Sequence, residues 1–217
     1  MFYGCKSLIS TPELPAMYLA PACYFEMFRY CSGLVNTYDL PALILENDCY
    51  NSMFRECTNL TYGPSIYATT VSDYCCNAMF YGCFKLIYVG DLKATELKPS
   101  CYNAMFYRCT SLVDAPRIFA TTLDSYCCNA MFYQCNKIVS ISLNSQYLVD
   151  NCYRYMFAGC TSLNNIQALF ITEPSSEYTD MWVYGVSSTG TFVKNAAATW
   201  NVIGDNGIPP KWTIQTI

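Results

Sequence analysis

Fifteen cysteines and no histidine stand out in this chain of 217 residues. Thiols can bind metal, attack electrophiles or form disulfides, and each use demands particular neighbours. A catalytic thiol needs a base to deprotonate it, and imidazole, the commonest base, is absent. A zinc site needs clustered ligands in the C-x2–4-C manner, with Cys or His partners. Here the cysteines of one unit lie eight residues apart, as in Cys23 and Cys31. The adjacent pairs Cys75-Cys76 and Cys127-Cys128 point to different faces of a helix, so no metal is assigned. Cysteines eight apart on a helix are separated by about 12 Å, too far for a disulfide. Equivalent cysteines of neighbouring units could stack about 5 Å apart, although with parallel Cβ vectors that suit a disulfide badly. A small buried apolar residue is the reading that fits better, with inter-unit disulfides as the alternative.

The sixteen carboxylates are scattered. Asp39, Asp91 and Asp114 fall near strand ends in different units, where a pair about 5 to 10 Å apart could imitate a glycosidase. Solvated turn acids are the simpler account, and Asp48, Asp73 and Asp150 read as helix-start residues. There is no Gly-x-Gly-x-x-Gly and no P-loop. The expectation is a non-enzymatic protein without metal or cofactor. A net charge of −4, with twelve dispersed Lys and Arg, excludes a nucleic-acid footprint. No apolar run is long enough to predict a membrane span. The start, Met1-Phe2-Tyr3-Gly4-Cys5, lacks the charged and apolar regions of a signal peptide.

The elements that position these residues follow from a repeat. Met-Phe recurs at Met1, Met27, Met53, Met79, Met105 and Met131, and again at Met156, with spacings of 26 and finally 25. Counting from each Met as position 0, a cysteine stands at +4 and an aliphatic residue at +7, as in Cys57 and Leu60. A second cysteine stands at −4 and an aliphatic residue at −8, as in Cys49 and Leu45. Apolar residues at −8, −4, 0 and +4 predict a two- to three-turn helix with one buried face. Pro21, Asp73, Pro99, Ser125 and Asp150, all at −6, predict its start. Alternation then predicts a short strand, as in Leu112-Val113-Asp114-Ala115-Pro116-Arg117-Ile118, usually ended by proline or glycine (Pro12, Pro64, Gly90, Pro116). Units four and six depart from this, with Gly90-Asp91-Leu92-Lys93 and Ser140-Ile141-Ser142-Leu143.

One strand and one helix per 26 residues cannot bury an apolar face alone, but stacked neighbours can. The expected fold is therefore an α/β solenoid of leucine-rich-repeat type. It would be a right-handed superhelix with one short parallel strand and one short helix per unit, strands on the concave face. Residues 1–177 form the solenoid, in seven units starting near 1, 27, 53, 79, 105, 131 and 156, and 178–217, with all three tryptophans, form a C-terminal cap. The opening in mid-helix predicts an uncapped N-terminal end, covered by more chain, a partner or a second copy.

Met-Phe-x-x-Cys-Thr-Ser-Leu (Met105 to Leu112), followed by a proline-containing strand and Ala-Thr-Thr-Leu, resembles the BspA-type bacterial surface leucine-rich repeats, in a variant of gut Bacteroides and their phages. The tail segments Gly185–Lys194 and Gly207–Thr213 resemble that variant's ending. The resemblance covers nearly the whole chain. It implies an extracellular, cell-surface or virion-surface module for adhesion and recognition, and supplies no catalytic residues.

Recognition is expected on the outward strand positions, which vary without disturbing the core. At +8, +9, +11 and +12 these include Asn36, Tyr38, Asp39, Tyr62, Tyr88, Asp91, Asp114 and Arg117. Tyr62 and Tyr88 are equivalent, so their rings should stack side by side, and tyrosine flanked by Asp and Asn suits a protein or a glycan ligand. A second row at +2 (Tyr3, Arg29, Arg55, Tyr81, Tyr107, Tyr133) is expected to shield the convex side. Cys76 and Cys128 replace the tyrosine found at −3 in other units and are expected to be partly exposed. The other expected partner reading is a structural or receptor-binding component of a phage particle or bacterial assembly.

Overall fold

Hydrogen bonds join each unit to the next through every second residue, and this decides the shape of the coil. In the computed structural model, which describes all 217 residues, the chain is a parallel β-solenoid without a helix. In unit two the N–H groups of Cys23, Phe25, Met27, Arg29 and Cys31 bond back three residues, to Ala20, Ala22, Tyr24, Glu26 and Phe28. The intervening N–H groups of Ala22, Tyr24, Glu26, Phe28 and Tyr30 bond forward to carbonyls of Asn47, Cys49, Asn51, Met53 and Arg55 in unit three. A helix would have kept all of these bonds within one unit.

The expected helix is thus replaced by a chain of β-turns, and the sequence period explains why. A four-residue step turns a helix through about 400°, so a strict period of four drifts about 40° per step off a helical face. A turn that repeats every four residues has no such drift. Every fourth residue enters the left-handed region to make the corner, as at Asp48 (φ 58°), Ser52 (φ 55°) and Glu56 (φ 61°). Pro21 and Pro99 are therefore second residues of turns. Ala22 (φ 56°) and Ser100 (φ 54°) follow them, as a type II turn requires, and Cys23 and Cys101 close the bonds. Asp73, Ser125 and Asp150 hold the same place before Tyr74, Tyr126 and Asn151.

This geometry reverses the usual effect of glycine. In a helix, Ala104→Gly would cost about 1 kcal/mol. At Ala104 (φ 51°) the change relieves a left-handed alanine, a penalty of about 1–2 kcal/mol, against glycine's extra unfolded-state freedom of up to about 1 kcal/mol. Urea unfolding of Ala104→Gly is expected to show unchanged or slightly higher stability. A loss near 1 kcal/mol would restore the helix.

Proline governs the strands. Units six and seven lack a proline in this stretch and form full strands β1 (Ser140–Leu143) and β2 (Asn165–Ala168). The tail adds β3 (Thr191–Lys194) and β4 (Thr213–Thr216), giving one parallel sheet in the order β1-β2-β3-β4. In earlier units Pro12, Pro64 and Pro116 remove N–H groups, and unit four, which has no proline here, lies between two proline-bearing neighbours. Pairing there shrinks to single bridges 26 residues apart, such as Tyr62↔Tyr88, Leu40↔Ile66 and Leu92↔Ile118.

The core is a set of columns. Phe2, Phe28, Phe54, Phe80, Phe106, Phe132 and Phe157 stack with ring centroids 5.4 to 5.9 Å apart. The +4 cysteines form a second column in which each S–H donates to the Phe carbonyl of the preceding unit, as from Cys109 to Phe80 at 3.1 Å and from Cys135 to Phe106 at 3.0 Å. The same Phe80 carbonyl accepts the Cys83 N–H, so both of its lone pairs are used. That is a reason for cysteine over alanine: small, apolar, and still a weak donor. All fifteen cysteines are free thiols, and only Cys5 and Cys23 are exposed. Contrary to expectation, Cys76 and Cys128 are fully buried. In the tail, Trp182 takes the place 26 residues after Met156 and donates to the Gly207 carbonyl, while Trp200 stacks on Phe170 at 5.2 Å.

Candidate functional site

Once the inward positions are filled by these columns, the strand surface carries the side chains that differ between units. Tyr62 and Tyr88 pair through their backbones and are 58% and 48% exposed. Their rings form none of the stacked aromatic pairs, so the expected side-by-side column does not arise there. Tyrosines stack instead at +2, where Tyr81, Tyr107 and Tyr133 have centroids 4.5 Å apart, and at −3, where Tyr24 and Tyr50 lie 6.1 Å apart; the Arg55 guanidinium lies 4.2 Å over Tyr81. The +2 rings are half-buried and cover the turn side of the core.

The acids at +12 connect units. The Asp39 carboxylate accepts the Ser65 N–H at 2.8 Å and the Tyr67 hydroxyl at 3.3 Å. Asp91 accepts the Arg117 N–H at 3.2 Å and its guanidinium at 3.0 and 2.7 Å. Each acid thus receives an N–H from a stretch where proline or glycine weakens the ladder. The hydrogen-bonded Arg117 guanidinium lowers the Asp91 carboxyl below its ordinary range. The pair is solvent-exposed, with Arg117 largely in water, so it contributes little to stability. Asp114 is exposed and makes no side-chain hydrogen bond or ion pair, Asn36 is exposed, and the half-exposed Tyr38 donates its N–H to Thr11 Oγ1 at 3.1 Å.

Two shallow clefts lie at the same repeat positions, two units apart. One, of about 200 Å³, is lined by Ser65, Tyr67, Tyr88, Asp91 and Lys93 among others. The second, of about 270 Å³, includes Arg117, Phe119, Ser140, Ser142 and Asn144. Both contain an aromatic ring at +14 with a cation above it. Lys93 Nζ lies 4.9 Å from the Tyr67 ring, and the Arg117 guanidinium carbon lies 5.6 Å from Phe119. The structure therefore brings Tyr88, Asp91 and Arg117 to clefts, while Asn36 and Tyr38 lie toward the other end of the stack.

Tyr67, Lys93 and Phe119, all at +14, lie beyond the expected recognition positions, which end at +12. The signal was present: Ile66-Tyr67-Ala68 and Ile118-Phe119-Ala120 continue the buried-exposed-buried alternation past Pro64 and Pro116. Chemically, the surface offers stacking rings, carboxylates and cations that can hydrogen-bond a ligand.

These features define a parallel β-solenoid of 26-residue coils with an aromatic and charged strand face. No protein-family model, curated protein or solved structure matches this chain. No helix is long and apolar enough to cross a membrane.

Proposed function

We propose that the protein is a non-enzymatic recognition module of a cell or virion surface that binds a protein or glycan through its strand face. The observation that carries this reading is a contrast between positions. Inward slots repeat almost without change, whereas +9 holds Asn36, Tyr62, Tyr88 and Asp114, and +12 holds Asp39, Ser65, Asp91 and Arg117. A scaffold that varies mostly outward, with the buried Tyr/Cys alternation at −3 as its main inward change, is suited to binding. The resemblance of the repeat to BspA-type surface proteins supports the same reading. The test is binding of the protein to immobilised glycan arrays and to whole cells, repeated with Tyr62→Ala/Tyr88→Ala. At least a tenfold loss is expected, because exposed tyrosines anchor such surfaces. Unchanged binding would sink this choice of face.

A second reading, a structural or receptor-binding component of a phage particle or bacterial assembly, is favoured by a different patch. Met17, Tyr18, Leu43 and Ile44 are all exposed, Tyr18 at 89%, and Tyr18 pairs with Ile44. Contiguous exposed apolar groups of this kind mark contact surfaces. A monomer across the micromolar range in sedimentation would count against self-assembly.

A further inference from the structure

On another edge of the coil, at positions +6 and +8, a cleft of about 270 Å³ is lined by Thr61, Lys85, Ile87, Ser111, Val113 and Lys137. Its floor is built by the backbone, since the Ile87 N–H bonds to the Thr61 carbonyl at 2.8 Å and the Val113 N–H to the Ile87 carbonyl at 3.2 Å. Ile87 and Val113 remain 38% and 44% exposed, an apolar strip without a cover. Lys85 and Lys137 are exposed, occupy the same repeat position two units apart, and belong to none of the three ion pairs. No carboxylate lines the cleft, and Asp114, next in the chain after Val113, is not among its walls. In a protein of net charge −4, a cleft with two unpaired cations and no acid stands apart. Four other clefts that hold a cation also hold an acid or an already paired arginine.

The spacing restricts what such a site can take. Two coils of a parallel stack separate the lysines by about 9 to 10 Å. An extended polyproline II segment rises about 3.1 Å per residue with three residues per turn, so residues i and i+3 share one face about 9 Å apart. We propose that this cleft binds an extended acidic peptide segment lying along the stack, with carboxylates at i and i+3 on Lys85 and Lys137. An aliphatic side chain between them rests on Ile87 and Val113, and Ser111, between the two lysines, hydrogen-bonds the peptide backbone. The aliphatic floor, with no aromatic platform, favours a peptide over a sugar chain. The site shares no residue with the two strand-face clefts, and it stands or falls independently of the function proposed there.

The test uses the full chain and a fluorescein-labelled peptide, Glu-Pro-Val-Glu-Pro-Val, in fluorescence anisotropy at low salt. Saturable binding is expected, falling at least tenfold in affinity with Lys85→Glu/Lys137→Glu and severalfold between 20 and 200 mM salt, since exposed charge pairs are screened. Both lysines are exposed, so the urea midpoint of the variant should match the parent. Lys85→Gln/Lys137→Gln should lose binding in the same direction. The proposal is overturned if the parent shows no saturable binding, or if the double variants bind equally well. It is also overturned if a peptide with its two glutamates adjacent binds as tightly, or if heparin occupies the cleft and the peptide fails to displace it.

Discussion

Phe106→Ala is expected to lower stability by about 3–5 kcal/mol, the range for a fully buried phenylalanine in a core that cannot collapse around the loss. Phe106 is 0% exposed and lies between Phe80 at 5.5 Å and Phe132 at 5.4 Å, its ring tilted 5° from each. The backbones of units four, five and six are held at fixed spacing by hydrogen bonds from Phe80 to Met105 and from Phe106 to Met131, so the gap cannot close by sliding one coil onto the next. Two stacked pairs disappear as well, each worth about 0.5–1.5 kcal/mol beyond area. Tyr107→Ala provides the contrast. Its ring also stacks twice, at 4.5 Å, but is half-buried and opens to water when removed. Equilibrium urea unfolding should rank Phe106→Ala well below Tyr107→Ala. In a stack where each unit touches only its neighbours, breaking the middle should also lower the m value, as the two halves begin to unfold separately. Equal losses for the two variants would mean that the inner column is not what joins the units.

The inward side of this fold is legible in the residue types. Met, Phe and Cys at 0, +1 and +4, and the aliphatic residues at +7 and −8, fall where the repeat places them, and stacking in parallel follows from a unit too small to bury its own face. The turns imitate a helix in sequence because left-handed backbone leaves little trace when alanine, serine or glutamate adopts it, as Ala104, Ser52 and Glu56 do. Inter-unit hydrogen bonds select that conformation, and one unit viewed alone does not reveal them. Two traces existed. The apolar period is four, without the intervening steps of three that a helical stripe uses. Glycine also recurs just before the +4 cysteine, at Gly4 (φ 69°), Gly82 (φ 72°) and Gly159 (φ 78°). The strand face was only partly legible for a related reason. Proline was read as a stop, whereas the coil runs straight through it and places Tyr67 and Phe119 beside Asp91 and Arg117.

The cysteine columns lead to the second large effect, a loss of structure at alkaline pH. Burial pushes the Cys152 and Cys160 thiols up to about 12, and Cys57, Cys83, Cys109 and Cys135 are raised by the same desolvation. An unfolded cysteine ionises near 8.5. Because the folded pKa lies above the unfolded one, the folded chain retains protons that the unfolded chain releases. The stabilisation is complete below about pH 8.5 and is lost as pH rises toward 12. Each such thiol removes up to about 1.4 kcal/mol per pH unit in that window. A column of them acting together exceeds the roughly 5–15 kcal/mol that holds a domain within one or two units. Circular dichroism in the presence of a phosphine reductant should therefore show a cooperative, reversible transition between about pH 9.5 and 10.5, before the buried tyrosines Tyr50, Tyr102 and Tyr153, also raised by burial, contribute fully. Cys109→Ala removes one titrating group and one S–H donor. It should weaken the fold at pH 7 by about 1–2 kcal/mol, yet lose less on going to pH 10 than the parent does. A fold that persisted at pH 11 under reducing conditions would contradict a core of neutral thiols. Fewer than fifteen reactive thiols in unreduced protein unfolded in guanidinium would point instead to disulfides between units.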